Sequence, residues 1–444
     1  MPETMNWKSA WSWMFYDWAA QPYHTLLVTF IFAPYLTSAV VGDPVQGQVI
    51  WGYTVAIAGF LVAVSAPILG SIVDAVGPRK PWVALFSLFH VLGAFALWWA
   101  TPGMDEVLLI LAAFAIGLVG AEFTQIYTNS MLPEIVPRRQ IGLISGWGWA
   151  IGYGGGLLSL VLTLLFLAEN TDGVTLLGIP PILGLDPLVR EGTRSVGPLT
   201  AFWYVLFMIP FFFFVPDTGR RMEVGNALRD GLDSLVTTIR RLPERVSYTC
   251  FLGASMFYRD ALVGIYSFGG IYAAGVLGWS IIQIGTFGIL GTLAGFAFCF
   301  LGGFADRKFG PKPVIAACVL VLIVVCSIIV GTSRTHVFGV AVSPGSSAPD
   351  IAFMICGGIL GAAGGILQAA SRTLLVHQTE PGKVTESFGL YALAGKATAF
   401  IAPFSVAAFT DFTGSQRLGV IPIIVLFLIG LALLVRVKPG DAHA

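Results

Sequence analysis

The sequence predicts an all-α membrane protein with twelve transmembrane helices arranged as two pseudo-symmetric six-helix bundles. Three observations support this fold class. Of the 444 residues, 56% are hydrophobic and only 11% are charged, whereas a soluble domain usually carries about 25% charged residues. The apolar residues fall into runs of roughly 20 residues, the length that crosses a bilayer as a helix. A short charged signature, Gly70 to Lys80, recurs as Gly302 to Lys312.

Charged and polar breaks divide the apolar runs into twelve expected spans. The first span should remain in the mature protein, because only Lys8 precedes it as a basic residue and no small-residue cleavage site follows a short apolar core. The expected limits are 12 to 38, 48 to 73, 82 to 101, 106 to 131, 140 to 168, 199 to 215, 247 to 275, 282 to 305, 313 to 332, 350 to 376, 385 to 410 and 418 to 435.

The basic residues indicate the orientation. Of the 24 Lys and Arg residues, 17 fall in gaps on one side of the predicted spans, 4 fall in gaps on the other side, and 3 lie inside spans. Basic residues concentrate on the cytoplasmic side of membrane proteins. We therefore expect both termini to be cytoplasmic.

A polar stretch near the middle of the chain divides the spans into two sets of six. We predict an N-terminal bundle over 1–215, a cytoplasmic linker over 216–246 and a C-terminal bundle over 247–444. Within the linker, residues 223–241 have the pattern of an amphipathic helix. The signature follows the second span of each half at an offset of 232 residues, which indicates parallel repeats related by an axis along the membrane normal.

Several function classes are disfavoured by composition and motifs. The five cysteines have no paired spacing for zinc or redox chemistry, and a formal net charge of zero gives no attraction to nucleic acid. There is no Gly-x-Ser-x-Gly elbow, metal-ligand helix motif or P-loop lysine. We predict no enzyme activity, catalytic residue, metal or cofactor.

The duplicated signature resembles the hallmark loop of the major facilitator superfamily. The pattern G-x-x-x-D-x-x-G-x-[RK]-[RK] is matched by Gly70, Asp74, Gly77, Arg79 and Lys80. The second copy has one extra residue between its Asp and its Gly, and its matching residues are Gly302, Asp306, Arg307, Gly310 and Lys312. The resemblance implies the major facilitator fold, with a gate at each loop.

Three further segments are similar to the bacterial "unknown major facilitator" family, which is related to the autophagy-associated vacuolar amino-acid effluxers. The first segment comprises residues 16–19 and 29–35 of the first span, the second comprises 368–372, and the third comprises 388–403. The resemblance implies a monomeric secondary active transporter of a bacterial inner (plasma) membrane. It would move a small solute, such as an amino acid or other zwitterion, by alternating access, with protons and membrane lipid as further partners. A non-transporting membrane sensor or scaffold with a transporter fold is the alternative.

Charged residues inside the spans mark the expected solute path, because burying a charge in a bilayer costs about 2.5 to 3.5 kcal/mol on insertion scales. Spans three, six, nine and twelve contain no Asp, Glu, Lys or Arg. In the superfamily such helices lie outermost, whereas spans one, four, seven and ten line the cavity.

The deepest polar residues are the substrate candidates. His24, Arg259, Asp260 and Lys396 lie some twelve residues inside their spans, hence about 18 Å deep and near the midplane. A salt bridge between Asp260 and Lys396 that only joins spans seven and eleven is the structural alternative. The full set of expected substrate contacts is Tyr23, His24, Gln125, Tyr258, Arg259, Asp260 and Lys396.

Residues nearer the cytoplasmic surface are the gate candidates, and one residue there and one near the midplane are the coupling candidates. Glu122 and Asp260 are expected to carry the coupled proton. Pro22 should weaken the first span and free backbone carbonyl groups, and glycines repeated every fourth residue along span five should allow close helix packing. The expected gate residues are Asp17, Asp74, Arg79, Lys80, Asp306, Arg307, Arg372 and Glu386.

Overall fold

The computed structural model describes residues 5–76, 78–137, 141–217, 240, 244–378, 390–391, 393–395 and 397–438. Within these residues, twelve longer helices follow the twelve predicted spans in order, and the predicted all-α fold is confirmed. We label them α1 (Trp7–Pro22), α2 (Pro44–Val76), α3 (Lys80–Ala96), α4 (Val107–Ile135), α5 (Ile141–Phe166), α6 (Val196–Phe214), α7 (Val246–Gly275), α8 (Ile281–Phe309), α9 (Pro311–Val330), α10 (Ala348–Gln378), α11 (Ile401–Thr413) and α12 (Ile421–Val435).

Length and composition support membrane insertion of most of these helices. Among the described residues, nine helical segments are long and apolar enough to cross a bilayer. The predicted linker helix at 223–241 lies outside the described residues, apart from Arg240.

The first span continues beyond α1 as a π-helix, Tyr23–Phe30, followed by a short helical turn, Phe32–Tyr35, and a second π-helix, Leu36–Val40. Pro22 lies where α1 ends and has no N–H to bond the carbonyl of Trp18. The indole Nε1–H of Trp203 on α6 donates to that carbonyl instead, at 3.0 Å. The structure therefore agrees with the expectation that Pro22 frees a carbonyl group, and it identifies the side chain that satisfies it.

The chain divides into two compact units. Unit 1 consists of Met1–Gly42, Ile57–Val236 and Ser280–Gly285, and unit 2 consists of Asp43–Ala56, Thr237–Trp279 and Thr286–Ala444. The domain limits at 215 and 247 remain a prediction.

Helix packing inside the two units follows one pattern. In unit 1, α1 packs against α5 and α6, and α3 packs against α4 and α6. In unit 2, α7 packs against α11 and α12, and α9 packs against α10 and α12. Each pair recurs six helices later, as expected for two halves of a pseudo-symmetric fold.

One short sheet interrupts the all-helical pattern. The loop between α9 and α10 contains the antiparallel strands β1 (His336–Val337) and β2 (Val340–Ala341). Phe338 and Gly339 between them have φ values of 49° and 80°, the left-handed conformations that a two-residue hairpin turn requires. This hairpin was not predicted from the sequence, in which Gly339 is the cue for a turn.

A buried carboxylate organises the loop between α5 and α6 of unit 1. The side chain of Glu169 is fully buried, and it accepts from the Thr193 hydroxyl at 2.7 Å and from the Thr193 N–H at 3.1 Å. Arg190 forms an ion pair with it at 3.1 Å. Burial raises the pKa of Glu169 above its ordinary value, although Thr193 and Arg190 oppose this effect.

Candidate functional site

In unit 2, the candidate site is centred on Arg259 in the middle of α7. Its guanidinium lies over the Tyr391 ring, 4.3 Å from the ring centroid, and Nη1 donates to the Tyr391 carbonyl at 3.1 Å. Phe251 stacks on the same ring with centroids 5.9 Å apart. The cation is therefore held on an aromatic surface, an arrangement that is favourable where water is scarce.

Gly395 gives the guanidinium its space. A Cβ at this position would lie 2.7 to 2.9 Å from Nη1, Cζ and Nη2 of Arg259. No other residue type fits here without displacing the charged group, so the backbone at Gly395 helps to fix where the cation lies.

Asp260, the next residue on α7, forms a hydrogen bond to the start of another helix, α11. It is 3% exposed, and its Oδ2 accepts from the backbone N–H of Ala402 at 2.9 Å. Ala402 is the second residue of α11, where backbone N–H groups have no partner inside the helix. Asp260 thus caps the start of a helix that it does not belong to, and its negative charge interacts favourably with that helix end.

Tyr258 is fully buried on the same helix. Its hydroxyl is 2.8 Å from the Ser371 hydroxyl of α10, and Ser371 also donates to the Leu367 carbonyl at 2.6 Å. Arg372, the predicted gate residue beside Ser371, is half-buried. The bond between Tyr258 and Ser371 ties α7 to α10 next to Arg259.

In unit 1, Tyr23 and His24 lie at the start of the first π-helix. Tyr23 is fully buried and donates to the Phe114 carbonyl of α4 at 2.8 Å. Its ring centroid is 6.1 Å from that of His24 and 4.7 Å from that of His90 on α3. His90 also stacks on Tyr204 of α6 at 4.1 Å.

Two acidic residues of unit 1 lie near the buried Tyr16. The carboxyl groups of Asp17 and Glu122 both interact electrostatically with its hydroxyl. Asp17 also packs closely on α5, because a Cβ at Gly148 would lie 2.6 Å from its Oδ2. This contact agrees with the expected packing role of the small residues on span five.

The described residues of the first signature interact with other parts of unit 1. Arg79 forms an ion pair with Glu134 at the end of α4, at 2.6 Å. The backbone N–H groups of Arg79 and Lys80 donate to the carboxylate of Asp217, at 2.9 and 3.2 Å, which caps the start of α3. The Lys80 ammonium donates to the Phe212 carbonyl at 2.8 Å, at the end of α6.

The second signature repeats one of these contacts in unit 2. The Lys312 ammonium donates to the carbonyls of Val435, at 3.1 Å, and Val437, at the end of α12. Asp306 is half-buried on α8. Lysine side chains near a helix C-terminus satisfy its last carbonyl groups and complement its dipole.

The structure thus brings Tyr23 beside His24, and it places Tyr258, Arg259 and Asp260 on one buried stretch of α7. Gln125 and Glu122 are half-buried on α4. Lys396, Glu386 and the side chains of Asp74 and Arg307 lie outside the described residues.

Sequence reasoning missed Tyr391 as the support of Arg259 and Ala402 as the partner of Asp260. Pro403, typical of a helix first turn, is the one signal that a helix begins there.

This combination of helical spans, repeated packing and buried polar residues defines a transporter of the major facilitator type. Solved structures with the same fold include a D-xylose–proton symporter, with a TM-score of 0.69 and 14% identity over 97% of this chain and 98% of that chain. The nucleoside transporter NupG has a TM-score of 0.66 and 11% identity over 98% of this chain and 100% of that one. A POT family transporter in complex with 5-aminolevulinic acid has a TM-score of 0.66 and 12% identity, covering 96% and 95%. At these identities the likeness concerns the fold.

Residues 138–442 match the family described as "Vacuole effluxer Atg22 like", and the chain belongs to that family. It is 25% identical to the uncharacterized MFS-type transporter YxiO of Bacillus subtilis, over 95% of this chain and 93% of the relative. It is 27% identical to Autophagy-related protein 22-2 of Emericella nidulans, over 71% of this chain and 54% of that protein. The chain is therefore a membrane transporter and not an enzyme, as the sequence predicted.

Proposed function

We propose that this protein is a secondary active transporter that moves a small zwitterion, such as an amino acid, by alternating access. The observation that carries the proposal is the Arg259 cation held on the Tyr391 ring in the middle of α7, a predicted membrane span, with the Asp260 carboxyl group as its neighbour in sequence. A solute with a carboxylate and an ammonium group has charges that match this pair.

The local geometry supports Arg259 as the group that receives the solute carboxylate. Among the described residues, it donates one hydrogen bond, from Nη1 to the Tyr391 carbonyl, while a guanidinium has five N–H donors in a planar fork. Contact with the Tyr391 ring and Gly395 restricts its position. A donor fork that is already oriented loses less entropy on binding a carboxylate.

Asp260 is proposed to contact the solute ammonium or to carry the coupled proton. Its second oxygen, Oδ1, has no hydrogen-bond partner among the described residues. Tyr258, Tyr23, His24 and Gln125 remain proposed substrate contacts, together with Lys396. Glu122 is the second proposed coupling group, because a half-buried carboxyl group beside the buried Tyr16 can change its charge during a cycle.

We further propose export as the direction and a bacterial inner membrane as the location, with both termini cytoplasmic. The family description as an effluxer supports export. The asymmetry of 17 against 4 basic residues in the gaps supports the orientation. The two signatures would then form the cytoplasmic gates, with Asp17, Arg372 and Glu386 nearby.

A thermal-shift screen followed by a flux assay tests this function. Purified protein is heated with individual amino acids, polyamines, sugars and osmolytes, because a solute that binds the folded state raises its melting temperature. Uptake of each stabilising solute is then measured in proteoliposomes. We expect an amino acid or another zwitterion to bind and to move.

Arg259→Gln should lower the uptake rate at least about 100-fold, in line with losing a buried charge-assisted contact. Arg436→Gln is the matched control, because Arg436 is exposed at the end of α12. Binding without movement across the bilayer would instead indicate the sensor or scaffold function. Full uptake by Arg259→Gln would remove Arg259 from the solute site.

A further inference from the structure

The loop between α5 and α6 of unit 1 exposes a concentrated set of aliphatic side chains. From Gly173 to Leu185 it contains no charged residue. Leu183 and Leu188 are 86% and 88% exposed. The other exposed aliphatic residues of the loop are Leu176, Leu177, Ile179, Ile182 and Val189. Single exposed apolar residues need no explanation, but a group of them marks a surface that contacts a partner or a membrane.

The loop has a defined backbone. Asn170 accepts through its Oδ1 from the N–H groups of Asp172 and Val174, at 2.8 and 3.1 Å. The Thr175 N–H donates to the Ile179 carbonyl at 2.8 Å. A folded segment therefore displays the aliphatic side chains, and such a segment loses little further conformational entropy when its surface is covered.

The loop returns to the level of the helix that precedes it. The Leu176 N–H donates to the Leu164 carbonyl at 3.0 Å, and Leu164 lies near the end of the apolar span Trp147–Phe166 of α5. The last carbonyl groups of a helix have no partner inside that helix, so this bond satisfies one of them. It also places the backbone of Leu176 beside the last turn of a membrane span.

The charged residues that follow the aliphatic part are engaged at the base of the loop. Arg190 forms an ion pair with the fully buried Glu169 at 3.1 Å. Asp186 accepts from the Leu188 N–H at 2.8 Å, and Glu191 accepts from the Asp186 N–H at 2.9 Å. Charged groups resist transfer into a bilayer. Because these side chains bind the protein itself, the projecting part of the loop is aliphatic.

We propose that residues 173–189 dip into the lipid bilayer and anchor unit 1 at the membrane interface. The partner of the aliphatic surface is the lipid of the leaflet that surrounds the ends of α5 and α6. This lipid already contacts the last turn of α5, to which the loop is hydrogen-bonded, so the exposed surface of the loop continues the lipid-facing surface of the span. Interfacial segments bury apolar side chains about 5 to 10 Å into the boundary between headgroups and acyl chains. The exposed Asp172 precedes this part and stays on the aqueous side.

Fluorescence quenching in nanodiscs that each hold one copy of the full chain tests the anchor without a transported solute. Leu183 is replaced by the environment-sensitive fluorescent amino acid Anap. In a second protein the same probe replaces Asp105, which is exposed in the loop between α3 and α4. Lipids with a doxyl group near the headgroup should quench the probe at position 183 by at least about half, and iodide in the buffer should quench it by less than about 10%. At position 105 we expect stronger quenching by iodide than by the lipids.

Two outcomes would overturn the anchor. If iodide quenches position 183 as strongly as position 105 and the doxyl lipids leave it bright, the loop lies in water. If position 183 is shielded from iodide only in discs that hold two copies, the aliphatic surface is a contact between copies of this chain and not a lipid anchor.

Two double variants test whether the aliphatic side chains hold the loop in lipid. Leu177→Asp with Leu188→Asp should raise the iodide quenching of position 183 at least about threefold, because aspartate resists transfer into the bilayer. Leu177→Val with Leu188→Val is the matched control and should leave the quenching unchanged. Both leucines are more than half exposed, so neither exchange disturbs the protein interior. Equal quenching in the two double variants would contradict the role of the aliphatic surface.

Discussion

The two units have similar contacts at the ends of their helices but differ in what they bury halfway along them. At the ends, Lys80 of unit 1 and Lys312 of unit 2 each donate to the last carbonyl groups of the sixth helix of their half. In the interior, unit 1 holds His90 among aromatic rings, whereas unit 2 holds Arg259 beside Asp260. The two units therefore hold their helix ends in the same way, while the chemistry of their interiors differs.

The largest expected effect concerns the charge of Asp260. An asparagine can still accept from Ala402 through its amide oxygen, so Asp260→Asn keeps the cap and removes the charge. We expect it to lower solute uptake at least about 100-fold in proteoliposomes, with a nearly normal yield of folded protein.

Asp260→Ala is the companion variant and loses both the charge and the cap. Its melting temperature should fall by several degrees more than that of Asp260→Asn, since losing a cap costs about 1 kcal/mol or more. Unchanged uptake in Asp260→Asn would mean that unit 2 uses this residue only to hold α11, and the contrast between the two interiors would then depend on Arg259 alone.

An intermediate effect is expected for Glu122 in unit 1. If it carries a coupled proton, Glu122→Gln should still exchange solute across the bilayer. It should lose the acceleration of uptake by an imposed pH gradient, about tenfold or more. The comparison is made with uptake at equal pH on both sides. A variant that still responds to the gradient would remove Glu122 from the coupling mechanism.

The shared helix ends lead to a smaller and symmetric prediction. Lys80→Ala and Lys312→Ala each remove one ammonium contact with terminal carbonyl groups, an interaction that contributes about 0.3 to 1 kcal/mol. We expect each variant to lower the melting temperature by about 1 to 3 °C, with similar values for the two. Lys308→Ala is a control for loss of charge alone, because Lys308 is exposed. A drop in uptake with an unchanged melting temperature would instead favour the gate role predicted for Lys80.

The smallest effect concerns the pH dependence of stability through Glu169. Its pKa in the folded protein is raised by burial, so its contribution to stability is complete below the unfolded pKa of about 4.3 and is lost as the pH rises through the folded pKa. Glu169→Gln resembles the protonated form. The melting temperature of Glu169→Gln minus that of the wild type should therefore rise by about 1 °C between pH 4 and pH 7. A constant difference in melting temperature over this pH range would show that Arg190 and Thr193 fully offset the effect of burial on the pKa of Glu169.

The spans were predictable because each depends on a local property, a run of apolar residues between charges. The duplicated signature likewise indicated the two halves, and Pro22 indicated the altered first span. The site was predictable only in part. Charge patterns identify residues such as Arg259 and Asp260 that must be buried at a cost, but they do not tell which helix faces them.

For that reason Tyr391 and Ala402 were not anticipated as their partners. His90 gave a weak signal because a single histidine in an apolar run is more often a satisfied hydrogen-bonding residue. Only the neighbouring rings of Tyr23 and Tyr204, contributed by two other elements, make the position unusual.

The bond from Asp260 to Ala402 has a mechanical consequence. It links the middle of α7 to the first turn of α11 through a short side chain, whose Oδ2 lies 2.9 Å from the Ala402 nitrogen. A displacement of the start of α11 must therefore carry α7 along or break the bond. A glutamate at position 260 would add a methylene group, so it would need another rotamer or a shift of one helix to keep the same 2.9 Å contact.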